Sequence, residues 1–237
     1  MRSWPALLMV CCLPAPLAWS DTAANEVESA TRPSAQASPE PEGLTWIRSR
    51  LSGIELTRSE VTVAQYRACA LAGRCEKPRS NRSSHHCNWG HPDREQHPIN
   101  CVDWYQAKAF CEWVGGRLPS EQEWFAEASN GGRRRYPWGD AEASCRFAVM
   151  PDEELGCGKR STWPVCSLPA GNSVSGLCDL SGNVWEWTSS SRKGRRVLLG
   201  GSWNRGSPVL LSAKARKYLQ PSRRYTSIGF RCGRSRS

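Results

Sequence analysis

Ten cysteines fall between Cys69 and Cys232 of a 237-residue chain, and no other feature restricts its fold as strongly. They are Cys69, Cys75, Cys87, Cys101, Cys111, Cys145, Cys157, Cys166, Cys178 and Cys232. An even number in a chain that opens with an export signal reads first as disulfides. A bridge closing a long loop contributes about 2–4 kcal/mol, so several can hold a fold with little regular structure. The competing reading is a metal site drawing on His85, His86, Cys87, His91 and His97. That stretch lacks paired C-x-x-C or H-x-x-x-H spacing, and oxidation would consume the thiolates.

The export signal is residues 1–20: Met1-Arg2, an apolar run from Trp4 to Leu17, and the small-x-small site Ala18-Trp19-Ser20. Pro5, Pro14 and Pro16 interrupt the run, which is too short to cross a bilayer, and no later segment is long and apolar enough to do so. The expectation is an exported protein, periplasmic, cell-surface or secreted, with no transmembrane segment. Cys11 and Cys12 lack the small preceding residue that lipidation favours, so a lipid anchor is disfavoured. Residues 21–43 are rich in Ala, Ser, Pro, Thr and Glu without an apolar period, and read as a disordered tether. Residues 44–237 are the size of one domain with a real core.

The net charge of +10 is concentrated late: from Gly194 onward the chain holds eleven Lys or Arg and no acid. Such a surface favours anionic partners, and equally serves as a solvated face that keeps a protein soluble. No nucleic-acid-binding motif accompanies it, and no nucleic-acid partner is expected.

Three helices are legible from capping boxes. Thr62-x-x-Gln65 starts one that runs to about Leu71 and ends at Gly73. Asp103-x-x-Gln106 starts a second, with Trp104, Ala107, Cys111 and Val114 on one face and Gly115-Gly116 stopping it. Ser120-x-x-Glu123 starts a third, through about Ser129. Beyond it, Gly, Pro and Ser separate short alternating pieces, as in small strands joined by long loops.

The stretches "IELTRSEVTVAQYRAC", "HPINCVDWYQAKAFCEWVGGRLPSEQEWFAEAS", "RYPWGD", "GLCDLSGNVWEWT", "LLGGSW" and "IGFRC" together resemble the sulfatase-modifying-factor family, which includes the formylglycine-generating enzymes. The resemblance implies an irregular α+β fold related to C-type lectins, with about three helices, short strands, disulfides and structural calcium. It assigns calcium ligands to Asp179, Gly182, Val184 and Glu186 of "CDLSGNVWEW". Two carboxylates and two main-chain carbonyls are hard oxygens of the kind calcium takes. Extended backbone from Val184 sends Trp185 and Trp187 to the face opposite Glu186. In the competing reading, Asp179 and Glu186 merely cap turns. The family's second calcium site, near "CRFAVMPDEE", lacks its asparagine, and Asp152 or Glu153 would have to substitute. The resemblance also pairs Cys111 with Cys232. Cys69–Cys75 is a local candidate pair and Cys87–Cys101 another, although spacing alone leaves the connectivity open.

The chemistry of the family does not carry over. Its oxidases hold copper with two cysteines shortly after the Gly-Gly-Ser motif, because soft thiolates select Cu(I). Here Ser202 is followed by Trp203, Asn204, Arg205, Gly206, Ser207 and Pro208, and copper is not expected. The iron-dependent sulfoxide synthases of the family need three histidines, whereas all four histidines of this chain lie between residues 85 and 97. No catalytic residue is assigned. The leading reading is a non-catalytic module that binds a peptide or glycan in a cleft lined by Trp185, Ser202, Trp203, Asn204 and Arg205. Arg195, Arg196, Lys214, Arg216, Lys217, Arg223 and Arg224 would favour an anionic ligand. The alternative is a divergent metal-dependent oxidoreductase acting on a protein cysteine or thiol.

Overall fold

A computed structural model describes residues 40–78, 85–152, 154–204 and 207–235, which lie in one compact unit. The export signal, the tether up to residue 39, Glu153 and Arg205 lie outside these residues. Packing begins before residue 44: Pro41 is buried, and the Glu40 carboxylate accepts from Trp46 Nε1 at 2.9 Å and from Arg234 at 2.7 Å.

Each of three helices starts on its capping box. Helix α1 (Val63–Leu71) follows Thr62, α2 (Trp104–Trp113) follows Asp103, and α3 (Glu121–Ala128) follows Ser120. In each, the cap side chain accepts from the N3 backbone N–H while the N3 side chain accepts from the cap N–H, so two orphan donors are satisfied together. Trp104, Ala107, Cys111 and Val114 of the second are all buried, as their spacing predicts. A Cβ on Gly116 would lie 2.7 Å from the Gly233 carbonyl, so only glycine lets the chain leave α2 against the last strand.

Strands β1 (Trp46–Arg48), β2 (Glu55–Thr57) and β7 (Gly233–Arg234) form an antiparallel sheet in the order β1-β2-β7. The second sheet runs β5-β4-β3-β6, from β3 (Trp185–Arg192), β4 (Arg195–Leu199), β5 (Lys217–Leu219) and β6 (Ile228–Gly229), with β6 parallel to β3. One core cluster gathers Tyr66, Phe110, Trp185, Trp187 and Phe230, and another gathers Leu56, Trp124, Leu177 and Leu199. Side chains alternate along β3, so its tryptophans serve the first cluster and Glu186 faces the second.

Five disulfides staple this framework: Cys69–Cys75, Cys87–Cys101, Cys111–Cys232, Cys145–Cys157 and Cys166–Cys178. They use every cysteine after Cys12. No helix among the described residues is long and apolar enough to cross a membrane.

Candidate functional site

The loop before β3 bends twice through left-handed backbone, at Asp179 (φ 56°) and Asn183 (φ 53°), with Gly182 between them. A side chain at Gly182 would meet the Val149 carbonyl at 2.5 Å. The loop is pinned from inside by Glu60, whose carboxylate accepts from Asn183 Nδ2 at 3.0 Å and from the Val184 N–H at 3.2 Å. Asp179 Oδ2 accepts from the Cys166 N–H at 2.6 Å. Glu186 and Arg231, both wholly buried, meet in a fork: Nε and Nη2 each donate to one carboxylate oxygen at 2.7 Å. Trp124 Nε1 adds a third donor at 2.8 Å. The same guanidinium donates to the carbonyls of Cys178, Thr57 and Arg58.

Three carboxylates thus surround one arginine. Burial and the charges of Asp179 and Glu186 push Glu60 well above the usual carboxylate range. Asp179 is pushed up to about 6, chiefly by burial. The calcium expectation meets this geometry badly, because the Glu186 side chain is already committed to Arg231 and Trp124.

The expected cleft is a packed corner. Trp185, Ser202 and Trp203 are buried, Asn204 is half-buried, and Arg205 lies outside the described residues. Ser202 Oγ donates to Asn204 Oδ1 at 3.3 Å, and Trp203 Nε1 donates to the Thr226 carbonyl at 3.2 Å. The His86 ring lies 5.1 Å from that of Trp203, a contact not anticipated from spacing. His97 Nδ1 lies 2.9 Å from Thr162 Oγ1, and burial with the neighbouring Arg94 holds its imidazole down at about 4.

The basic tail is largely spent on the fold. Arg216 pairs with Glu121 at 2.5 Å, Arg224 with Asp103, and Arg231 with Glu186. Arg196 sits 3.6 Å above the Trp104 ring, and Lys217 lies 5.6 Å from those of Trp185 and Tyr225. The formal charge therefore overstates the free positive surface on this side.

With that fold and corner in view, sequence comparison supplies the class. The chain belongs to the sulfatase-modifying-factor family: residues 29–236 match the sulfatase-modifying factor enzyme 1-like domain. Hercynine oxygenase of Mycobacterium tuberculosis is 34% identical over 158 residues, covering 56% of this chain and 36% of that protein. Inactive C-alpha-formylglycine-generating enzyme 2 of Bos taurus is 33% identical over 154 residues, covering 59% of this chain and 51% of that one. The chain thus spans about a third to a half of these curated relatives. Among solved structures, Treponema denticola variable protein 1 superposes with a TM-score of 0.63 at 20% identity, over 84% of this chain and 94% of that one. The architecture is the formylglycine-generating-enzyme-like, C-type-lectin-related α+β fold.

Proposed function

We propose that this chain is an exported, non-catalytic binding module for a peptide or glycan, built on a scaffold whose relatives include oxygenases. The observation that carries this reading is the state of its sulfur. All ten cysteines of the domain are in disulfides, and none follows Ser202 before Cys232, so the domain has no thiolate pair for Cu(I) and no thiol nucleophile. A relative that carries the word inactive in its name supports the same direction. Five disulfides also support export, since they form and persist in an oxidising compartment.

Hercynine oxygenase among the relatives supports a second reading, a metal-dependent oxidoreductase. Metal content and free thiols, measured on natively oxidised protein before and after copper and iron reconstitution, decide between the two. The binding module predicts no free thiol and no stoichiometric transition metal. Copper or iron at one per chain overturns it. Melting with and without a chelator, in the same preparation, tests calcium: because Arg231 occupies Glu186, the melting temperature is expected to be unchanged. A calcium-dependent rise would place the ion on Asp179 and main-chain oxygens instead.

A further inference from the structure

The turn joining β1 to β2 faces two other loops across an open groove of about 900 Å³, lined in part by Arg48, Arg50, Leu51, Asn130 and Val174. Ser49 is 1% exposed, and its hydroxyl accepts from the N–H groups of Leu51 and Ser52 at 3.2 and 2.8 Å, which fixes the turn. With Ser49 turned inward, Arg48 and Arg50 on either side of it are exposed. The residue opposite Arg48 is Glu55, the natural partner for its charge. Glu55 is already held by Arg234 at 2.6 Å, and Arg234 also binds Glu40. Among the described residues, neither the Arg48 nor the Arg50 side chain has an ion pair or hydrogen-bonding partner, and no acid lines the groove. Leu51 and Val174 are 39% and 62% exposed, so the same groove presents aliphatic surface.

We propose that this groove binds an acidic peptide segment, with carboxylates on Arg48 and Arg50 and an aliphatic side chain between Leu51 and Val174. Guanidinium groups take carboxylates in a planar two-bond fork, and Glu55, the acid opposite Arg48, is engaged by Arg234. Among the described residues no aromatic ring lines the groove, so the apolar face of a sugar finds no stacking partner in them. The site is separate from the corner at Ser202 and does not depend on what that corner does.

The probe is a dye-labelled peptide of alternating glutamate and leucine, titrated into the full oxidised protein and followed by fluorescence anisotropy. Saturable binding is expected, weakened about tenfold by Arg48→Glu with Arg50→Glu and about threefold by Val174→Ser. Arg74→Glu with Lys77→Glu makes the same charge change on other exposed positions and is expected to leave the affinity unchanged. All three variants alter surface positions, and matched melting temperatures confirm that each is folded. No saturable binding, or equal weakening by both charge reversals, overturns the proposal. So does a heparin-derived oligosaccharide or a phosphatidylserine vesicle that binds through Arg48 and Arg50 while Val174→Ser has no effect.

Discussion

Glu186 on β3 and Glu127 on α3 are both withdrawn from solvent, at 0% and 2% exposure, yet among the described residues one accepts from three donors and the other from none. Glu186 receives two bonds from Arg231 and one from Trp124. One turn along the same helix as Trp124, both carboxylate oxygens of Glu127 are buried without a hydrogen-bond partner among the described residues, and so is Asn172 Oδ1. Depth therefore does not set the energy of a buried acid in this fold; the supply of donors does. A buried polar group left unmatched costs about 1–3 kcal/mol, whereas a matched ion pair roughly balances its own desolvation.

The largest effect should come from making Glu186 resemble Glu127. Arg231→Met is expected to lose about 3–5 kcal/mol in chemical denaturation, because it leaves a buried carboxylate uncompensated. Adding Glu186→Leu should recover part of that loss; a single variant indistinguishable from wild type would break the contrast. The opposite change is Glu127→Met, similar in size and free of the unmatched oxygens, expected to gain about 1–2 kcal/mol. A loss there would mean that Glu127 has a partner in solution.

His97 extends the contrast to a base. Its folded value of about 4 lies below the ordinary histidine value of about 6.5, so the folded state stays neutral where the unfolded chain takes a proton. Its contribution is complete above the ordinary value and is lost as pH falls through that window. Between about pH 7 and 4, wild type should lose about 1–2 kcal/mol more than His97→Gln. Parallel stability curves would show that the ring is hydrated and titrates normally.

What the sequence reveals and what it hides follow from the range of each interaction. The three capping boxes are written within four residues, so α1, α2 and α3 begin where Thr62, Asp103 and Ser120 announce them. The alternation in "VWEW" likewise sorts Trp185 and Trp187 from Glu186. Arg231 stands in the quoted "IGFRC", but nothing local says that its guanidinium crosses 45 positions to Glu186. Cys145–Cys157 and Cys166–Cys178 carried no signal, since spacing alone does not select among the possible pairings of ten cysteines. The density of positive charge after Gly194 is legible in the sequence, but which of those charges are paired is not. Arg216, Arg224 and Arg234 have carboxylate partners, whereas Arg48 and Arg50 have none among the described residues, and Glu55 opposite Arg48 is held by Arg234.

Residues 228–234 close both sheets, β6 against β3 and β7 against β2, and carry Arg231 and Cys232 between them. A growing chain has all three helices long before it has these residues. Until they arrive, Cys111 is an unpaired thiol, Glu186 lacks Arg231, and β2 and β3 each lack a neighbouring strand. The domain therefore cannot complete its fold piecemeal during synthesis. A product cut short by even a dozen residues would be recognisably unfinished to any protease that surveys exposed edges.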